Sequence, residues 1–236
     1  MNSWADLAAR AQEAQSRALA PLSGFAVGAA LVDEGGQVFL GHNVEFEGCA
    51  MALTLHAETF ALARAFASGA RRLKKLAVTA APCGHCRQLL SLCAPDLTIS
   101  VAGGEVQSIK DLLPQSFALS YTPPFPASPL IAPTDDPAEG AAWAASKAYA
   151  PFSGGGHGIA LVCKGQTFLG ATLESDAYNP TLTSLHLALA AWVEAGRPEP
   201  TKAYLCCPER GASEKALVIE WCDHHQVEWK ILHMQQ

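Results

Sequence analysis

The chain is poor in the features that would send it to a membrane, a nucleic acid or a secretory route. No apolar run is long enough to span a bilayer, which takes about 20 residues of helix. Basic residues are scarce: 16 Lys and Arg stand against 22 Asp and Glu, for a net charge of −6. The single basic cluster, Arg71-Arg72-Leu73-Lys74-Lys75, reads as a solvated turn between a helix end and a strand. A groove that tracks phosphates is therefore not expected, nor is a nucleic-acid partner. The opening residues Asn2-Ser3-Trp4-Ala5-Asp6 carry neither the basic flank nor the apolar stretch of a signal peptide. Eight cysteines would allow disulfides, but several sit in apolar, strand-like runs. A reducing, cytoplasmic setting without membrane attachment is the expectation. Hydrophobic residues are abundant, at 50% of 236, enough for the cores of one large or two small domains.

The informative residues are His56-Ala57-Glu58 followed by Pro82-Cys83-Gly84-His85-Cys86. One imidazole and two thiols are the donors zinc prefers, and three protein ligands leave a fourth position open for chemistry. Water on such a zinc has a pKa of about 7. Glu58, two residues past His56, is placed to move protons rather than to hold metal. A C-x-x-C alone is ambiguous between a redox pair and half of a structural zinc site. A closed structural site needs a fourth protein ligand. His85 lies inside the C-x-x-C loop and is poorly placed to close on the same ion; Cys93 reads as a core thiol.

Local structure agrees with this reading. Leu53, His56, Phe60 and Ala63 recur at helical spacing among alanines, which puts His56 and Glu58 in the first turns of a helix. Leu76-Ala77-Val78-Thr79-Ala80 reads as a buried strand. Pro82 then opens a second helix running to Cys93, with Pro at its first position. The thiols lie at that helix's N-terminus, where dipole and free amides favour thiolate. Arg87 is expected to hydrogen-bond a thiolate sulfur and tune the metal.

The chain also repeats itself. Leu19-Ala20-Pro21-Leu22-Ser23-Gly24-Phe25-Ala26-Val27-Gly28 returns as Tyr149-Ala150-Pro151-Phe152-Ser153-Gly154-Gly155-Gly156-His157-Gly158, and Gln37-Val38-Phe39-Leu40-Gly41 as Gln166-Thr167-Phe168-Leu169-Gly170. Each copy reads as helix, hairpin, helix, strand, helix, strand. In the first these fall near 4–19, 26–42, 54–68, 75–81, 83–93 and 97–102, with Glu34-Gly35-Gly36 as the hairpin turn. The expected domains are a zinc-binding 1–113, a linker 114–137 and a second copy 138–236. The linker carries Pro123, Pro124, Pro126, Pro129 and Pro133, so it is neither an ordinary helix nor a central strand. In copy two, His186 aligns near His56, but Ala188 takes the carboxylate position and Pro208-Glu209-Arg210-Gly211-Ala212 replaces the cysteine motif. Cys206, Cys207, Cys222, His224 and His225 match no common zinc spacing and read as buried thiols and a polar helix end.

H-x-E followed by P-C-x-x-C is the known signature of zinc nucleobase deaminases. With Phe25-Ala26-Val27-Gly28-Ala29, Asn43-Val44-Glu45-Phe46 and Ala177-Tyr178-Asn179-Pro180-Thr181-Leu182, the chain resembles the two-domain, homodimeric cytidine deaminases over nearly all its length. The resemblance implies a duplicated α/β fold, each copy a three-layer αβα sandwich with a mixed sheet, active in the first copy and degenerate in the second. It implies one Zn2+ per chain, held by His56, Cys83 and Cys86, with Glu58 as the proton shuttle. Asn43 and Glu45 would hydrogen-bond the ribose 3′-hydroxyl, and Phe25 would pack against the base. The amide of Ala57 and carbonyl of Ala81 would grip the pyrimidine edge. Ala177 and Tyr178 would come from the partner subunit's second domain. The implied reaction is hydrolytic deamination of cytidine and 2′-deoxycytidine, in pyrimidine salvage. Asn-x-Glu also suits a free nucleoside on chemical grounds, since Glu45 would repel a phosphate.

Overall fold

The computed structural model describes residues 2–119, 129–209 and 211–233. Pro123, Pro124 and Pro126 of the expected linker lie outside them. The chain divides into two compact units, and the division is not a single cut. Unit one holds the chain up to Glu47 and from Thr54 onward, and also takes Ser175–Pro180 from the second repeat. Unit two holds the rest of the second repeat, and also takes Gly48–Leu53 from the first.

Unit one begins with helix α1 (Trp4–Gln15), capped by the Ser3 hydroxyl, which accepts the Asp6 N–H at 3.1 Å. The hairpin β1 (Gly28–Asp33) and β2 (Val38–His42) follows, turning at Gly36 with φ +85°. Then come α2 (Ala57–Ala67), β3 (Leu73–Val78), α3 (Gly84–Cys93), β4 (Thr98–Val101), β5 (Val106–Ser108) and α4 (Ile109–Leu112). The sheet runs β2-β1-β3-β4-β5; β3 and β4 are parallel and the other pairs antiparallel.

Period-two alternation in β1 divides the two helical layers. Ala30 and Val32 pack with Leu7 and Ala11 of α1. A Cβ on Gly28 would sit 2.0 Å from the Ala11 carbonyl, so only glycine lets this helix lie so close. Gly41, paired with Ala29 on the other face, would meet the Ala57 carbonyl of α2 at 2.2 Å. α1 and α2 therefore cover opposite faces, as expected of a three-layer sandwich.

Unit two repeats the plan with α5 (Pro137–Ser146), β6 (Gly158–Cys163), β7 (Gln166–Ala171), α6 (Ser184–Glu194), β8 (Pro200–Cys207), α7 (Lys215–His224) and β9 (Glu228–His233). Its sheet runs β7-β6-β8-β9, again with one parallel pair, β8–β9. Gly158 and Gly170 press against α5 and α6 as Gly28 and Gly41 do against α1 and α2.

Three expectations shift. α1 stops at Gln15 rather than reaching residue 19, because Leu19 bridges to Val44 instead. Pro82 precedes the α3 N-cap, Cys83, and is not the first helical residue. β5 and α4, with Ser108 and Asp111 forming a capping box, lie where no element was anticipated.

Candidate metal centre

α2 begins just after His56, whose extended backbone (φ −78°, ψ 155°) makes it the N-cap rather than a first-turn residue. The His56 N–H donates to Thr59 Oγ1 at 3.1 Å, which fixes the start of the helix. Cys83 caps α3, and Cys86 lies one turn inside it, buried. The ligand-type atoms of His56, Cys83 and Cys86 all lie within 4.8 Å of one another. The two sulfurs are 3.7 Å apart, and His56 Nδ1 is 3.5 Å from Cys83 and 3.4 Å from Cys86. Tetrahedral zinc with bonds of about 2.3 Å to sulfur and 2.0–2.1 Å to nitrogen requires edges of about 3.8 Å and 3.5 Å. The triangle already has the dimensions the ion needs. Neither His85 nor Cys93 belongs to it.

The electrostatics favour a charged donor set. A hydrogen bond shared with Cys86, then one with His56, pulls the Cys83 thiol down to about 3. Cys86 is pushed well above its ordinary range by the same bond to Cys83 and by burial. Two sulfurs sharing one proton at a helix N-terminus are ready to exchange it for a divalent cation. Glu58, on the first turn of α2, is only 3% exposed, and burial raises its carboxyl above the ordinary range. A carboxyl that burial makes a better proton acceptor suits acid-base work.

The segment after β2 holds the loop that precedes β1. Asn43 Oδ1 accepts the Val27 N–H at 2.8 Å, and its Nδ2 donates to the Phe25 carbonyl at 2.9 Å. Glu45 accepts the Leu22 and Ser23 N–H groups at 2.8 and 3.0 Å and the Ser23 hydroxyl at 2.5 Å. The Ser23 hydroxyl lowers the Glu45 pKa. Asn43 and Glu45 thus hold residues 22–27, and Phe25 stands 61% exposed within them. Ala57 is buried at the first position of α2; Ala81 is exposed just before the cysteine loop.

Arg87 does not reach a sulfur in the arrangement observed. Its Nε donates to the Pro82 carbonyl and its Nη1 to the Leu112 carbonyl, both at 2.8 Å. It positions the cysteine loop by its backbone, tying it to α4, an element the sequence reading did not foresee. Ala177 and Tyr178 lie in the segment that unit one takes from the second repeat. There Asp176 accepts from Gln88 of α3 at 3.1 Å. Tyr178 is 54% exposed with φ +58°, a conformation uncommon for a non-glycine residue.

Unit two shows what replaced the chemistry, and here the repeat alignment is corrected. Gly41 meets Ala57 and Ala61, while Gly170 meets Ser184 and Ala188, so Thr183 occupies the place of His56 and Leu185 that of Glu58. The hairpin is one residue shorter and the loop before α6 two residues shorter, which together displace His186 to the third helical position. There it hydrogen-bonds the Ala52 carbonyl at 2.9 Å. At the N-cap of α7, Glu214 accepts from the Ser184 N–H at 2.8 Å, the Ser184 hydroxyl at 2.6 Å and the Thr172 hydroxyl at 2.6 Å. Its own N–H donates to His157 Nε2 at 3.4 Å. Nothing in the linear pattern announced this buried network. The Glu45 clamp, by contrast, has a visible counterpart: Glu174 accepts the Phe152 and Ser153 N–H groups at 2.8 and 3.1 Å, after the repeated Pro-x-Ser-Gly. Cys206, Cys207 and Cys222 are buried as expected, with Cys222 pushed up to about 12 by burial.

The family model described as "Cytidine and deoxycytidylate deaminase zinc-binding region" matches residues 1–101, and a second model of that description matches residues 109–201. "Cytidine deaminase 6" of Arabidopsis thaliana is 35% identical over 223 residues, covering 81% of this chain and 76% of that protein. Among solved structures, the cytidine deaminase from Burkholderia pseudomallei is 39% identical, covering 49% of this chain and 99% of its own, with a TM-score of 0.45. The cytidine deaminase from Mycobacterium tuberculosis is 37% identical over 50% of this chain and 98% of its own, also with a TM-score of 0.45.

Proposed function

We propose a definite reaction for this chain, which belongs to the cytidine deaminase family of zinc-dependent hydrolases: cytidine and 2′-deoxycytidine lose the ring amine as ammonia and become uridine and 2′-deoxyuridine. One observation carries the reading. An imidazole and two sulfurs stand at the edge lengths of a zinc tetrahedron, beside a buried carboxylate two residues past the imidazole.

His56, Cys83 and Cys86 would hold Zn2+, and their soft, part-anionic donor set suits it. When bound, zinc supplies Lewis-acid activation of a water aimed at an aminated ring carbon. Glu58 would take a proton from the attacking water and deliver it to ring nitrogen N3, then take the second proton from the new C4 hydroxyl and pass it to the amine, which leaves as ammonia while C4 becomes a carbonyl. N3 protonation makes C4 electrophilic, so one carboxylate serves both directions of proton movement. Its burial raises its affinity for the proton it must carry. The Ala57 amide and Ala81 carbonyl grip the pyrimidine edge, and Phe25 packs on the base. Asn43 and Glu45 contact the ribose 3′-hydroxyl with the donor and acceptor capacity left beyond their loop contacts. Arg87 acts as a positioning residue through Pro82.

Residues 1–113 form the catalytic domain, 114–137 the linker and 138–236 the degenerate domain in this reading. The chain works as a homodimer in which Ala177 and Tyr178 of one subunit close the pocket of its partner. Its setting is the cytoplasm and its role pyrimidine salvage; no described helix is long and apolar enough to cross a membrane. The test is direct: zinc-loaded protein with cytidine, following the fall in absorbance as uridine forms. Absence of turnover at full zinc occupancy would overturn the proposal in favour of a nucleoside-binding module. Mixing Glu58→Gln chains with Tyr178→Ala chains tests the shared pocket. Recovery of activity is expected, and none is seen if each chain completes its own.

A further inference from the structure

Among the described residues, a second group brings three metal-type donors together. Donor atoms of Cys49, His224 and His225 all lie within 4.8 Å of one another. All three belong to unit two, and the proposed reaction uses none of them. We propose that they form a second zinc site, one thiolate and two imidazoles, that fastens the Gly48–Leu53 loop to the C-terminal end of α7.

The loop is held at this place by contacts that owe nothing to a metal. The Ala50 N–H donates to Glu220 Oε1 at 2.6 Å, one turn before His224 on α7. The Ala52 carbonyl accepts from His186 at 2.9 Å. Gly48 has φ +74°, and a Cβ there would strike His224 Cε1 at 2.3 Å. Glycine is what lets the backbone lie against that imidazole, one residue before Cys49.

The His225 imidazole is prepared as a ligand. His225 Nδ1 lies 2.9 Å from the Trp221 carbonyl, which can only accept, so Nδ1 carries the proton and Nε2 keeps its lone pair. A metal-binding histidine commonly has its other nitrogen fixed in this way. The His225 ring also stacks on Trp221, with centroids 4.3 Å apart and planes at 23°. His224 meets it edge-on, at 4.9 Å and 74°. One thiolate with two imidazoles is a donor set for zinc rather than for magnesium or calcium, and it leaves one position to water. Spacing along the chain could not suggest the site, since 174 residues intervene between Cys49 and the next donor, His224.

This inference does not depend on the deaminase reading, and zinc stoichiometry separates the two. The full-length chain is loaded with excess Zn2+, desalted and analysed for metal. Wild type should carry two ions per chain, Cys49→Ser one with turnover retained, Cys83→Ala one with turnover lost, and the double variant none. One ion in wild type, unchanged by Cys49→Ser, overturns the second site and leaves the first intact. Cobalt substitution provides a measurement free of folding concerns about Cys49→Ser. In a Cys83→Ala/Cys86→Ala background, a sulfur-to-cobalt charge-transfer band should persist, and its absence would equally reject Cys49 as a ligand.

Discussion

The two units begin corresponding helices with different residues, and that contrast separates fold from chemistry. In unit one the helix after the hairpin is capped by His56 and the helix after the central strand by Cys83. In unit two those places belong to Thr183 and Glu214. The first pair, with Cys86, makes a triangle of metal donors. The second makes a buried carboxylate satisfied by Ser184 and Thr172. The scaffold beneath is shared: glycines at the close approaches of helix and strand, a hairpin antiparallel to the central strand, and a glutamate clamping the preceding loop. Glu174 makes the Glu45 clamp in a unit that has no zinc ligands in these places. The clamp therefore belongs to the architecture, and any contact of Glu45 with substrate was added to it.

The most damaging change to the contrast would be to remove the metal donors from unit one. Cys83→Ala or Cys86→Ala should cost that site its zinc and abolish turnover, checked by metal analysis together with the cytidine assay. Glu58→Gln should retain zinc and fold while lowering turnover by about 10²–10⁴, the usual range for lost acid-base catalysis; near-normal rates would remove Glu58 from the mechanism. Tyr178→Ala should lower kcat/KM about tenfold, equivalent to about 1.4 kcal/mol of transition-state binding, although the repeat that carries Tyr178 has no counterpart of Glu58.

Smaller effects sharpen the view of unit two. Glu214→Gln should destabilise the chain by about 1–3 kcal/mol, because its hydrogen-bond partners are buried, and urea unfolding measures it. Burial holds the Glu214 carboxyl above its ordinary value of 4.5. The folded chain then keeps a proton that the unfolded chain has released. The stabilisation linked to that proton is whole below the ordinary carboxylate range and is lost as pH rises through the raised value. The Gln variant should lack this slope. Ser23→Ala, which removes one contact to Glu45 in unit one, should cost about 0.5–1.5 kcal/mol, with its effect on turnover confined to KM.

Much of this was legible along the chain. The repeat, the order of helices and strands, the three donors and Glu58 were read from residue types at short spacings, whereas the three-layer sandwich came with the family resemblance. Other features depended on residues far apart in sequence. Arg87 turned from sulfur to backbone because α4 brings the Leu112 carbonyl within reach. His186 left the alignment because a hairpin one residue shorter and a loop two residues shorter moved the helix start. Glu214 met Ser184 across 30 residues, and Cys49 met His224 across 175.

Local pattern alone therefore determined the order of elements, the donor set suited to zinc and its absence from the second repeat, because each is encoded within a turn or two of backbone. Tertiary structure decided what surrounds the donors and what fills the lost site. It also decided that each repeat lends a loop to the other unit. The physical reason is that buried polar groups must find partners wherever packing brings them, and packing is set by the whole chain.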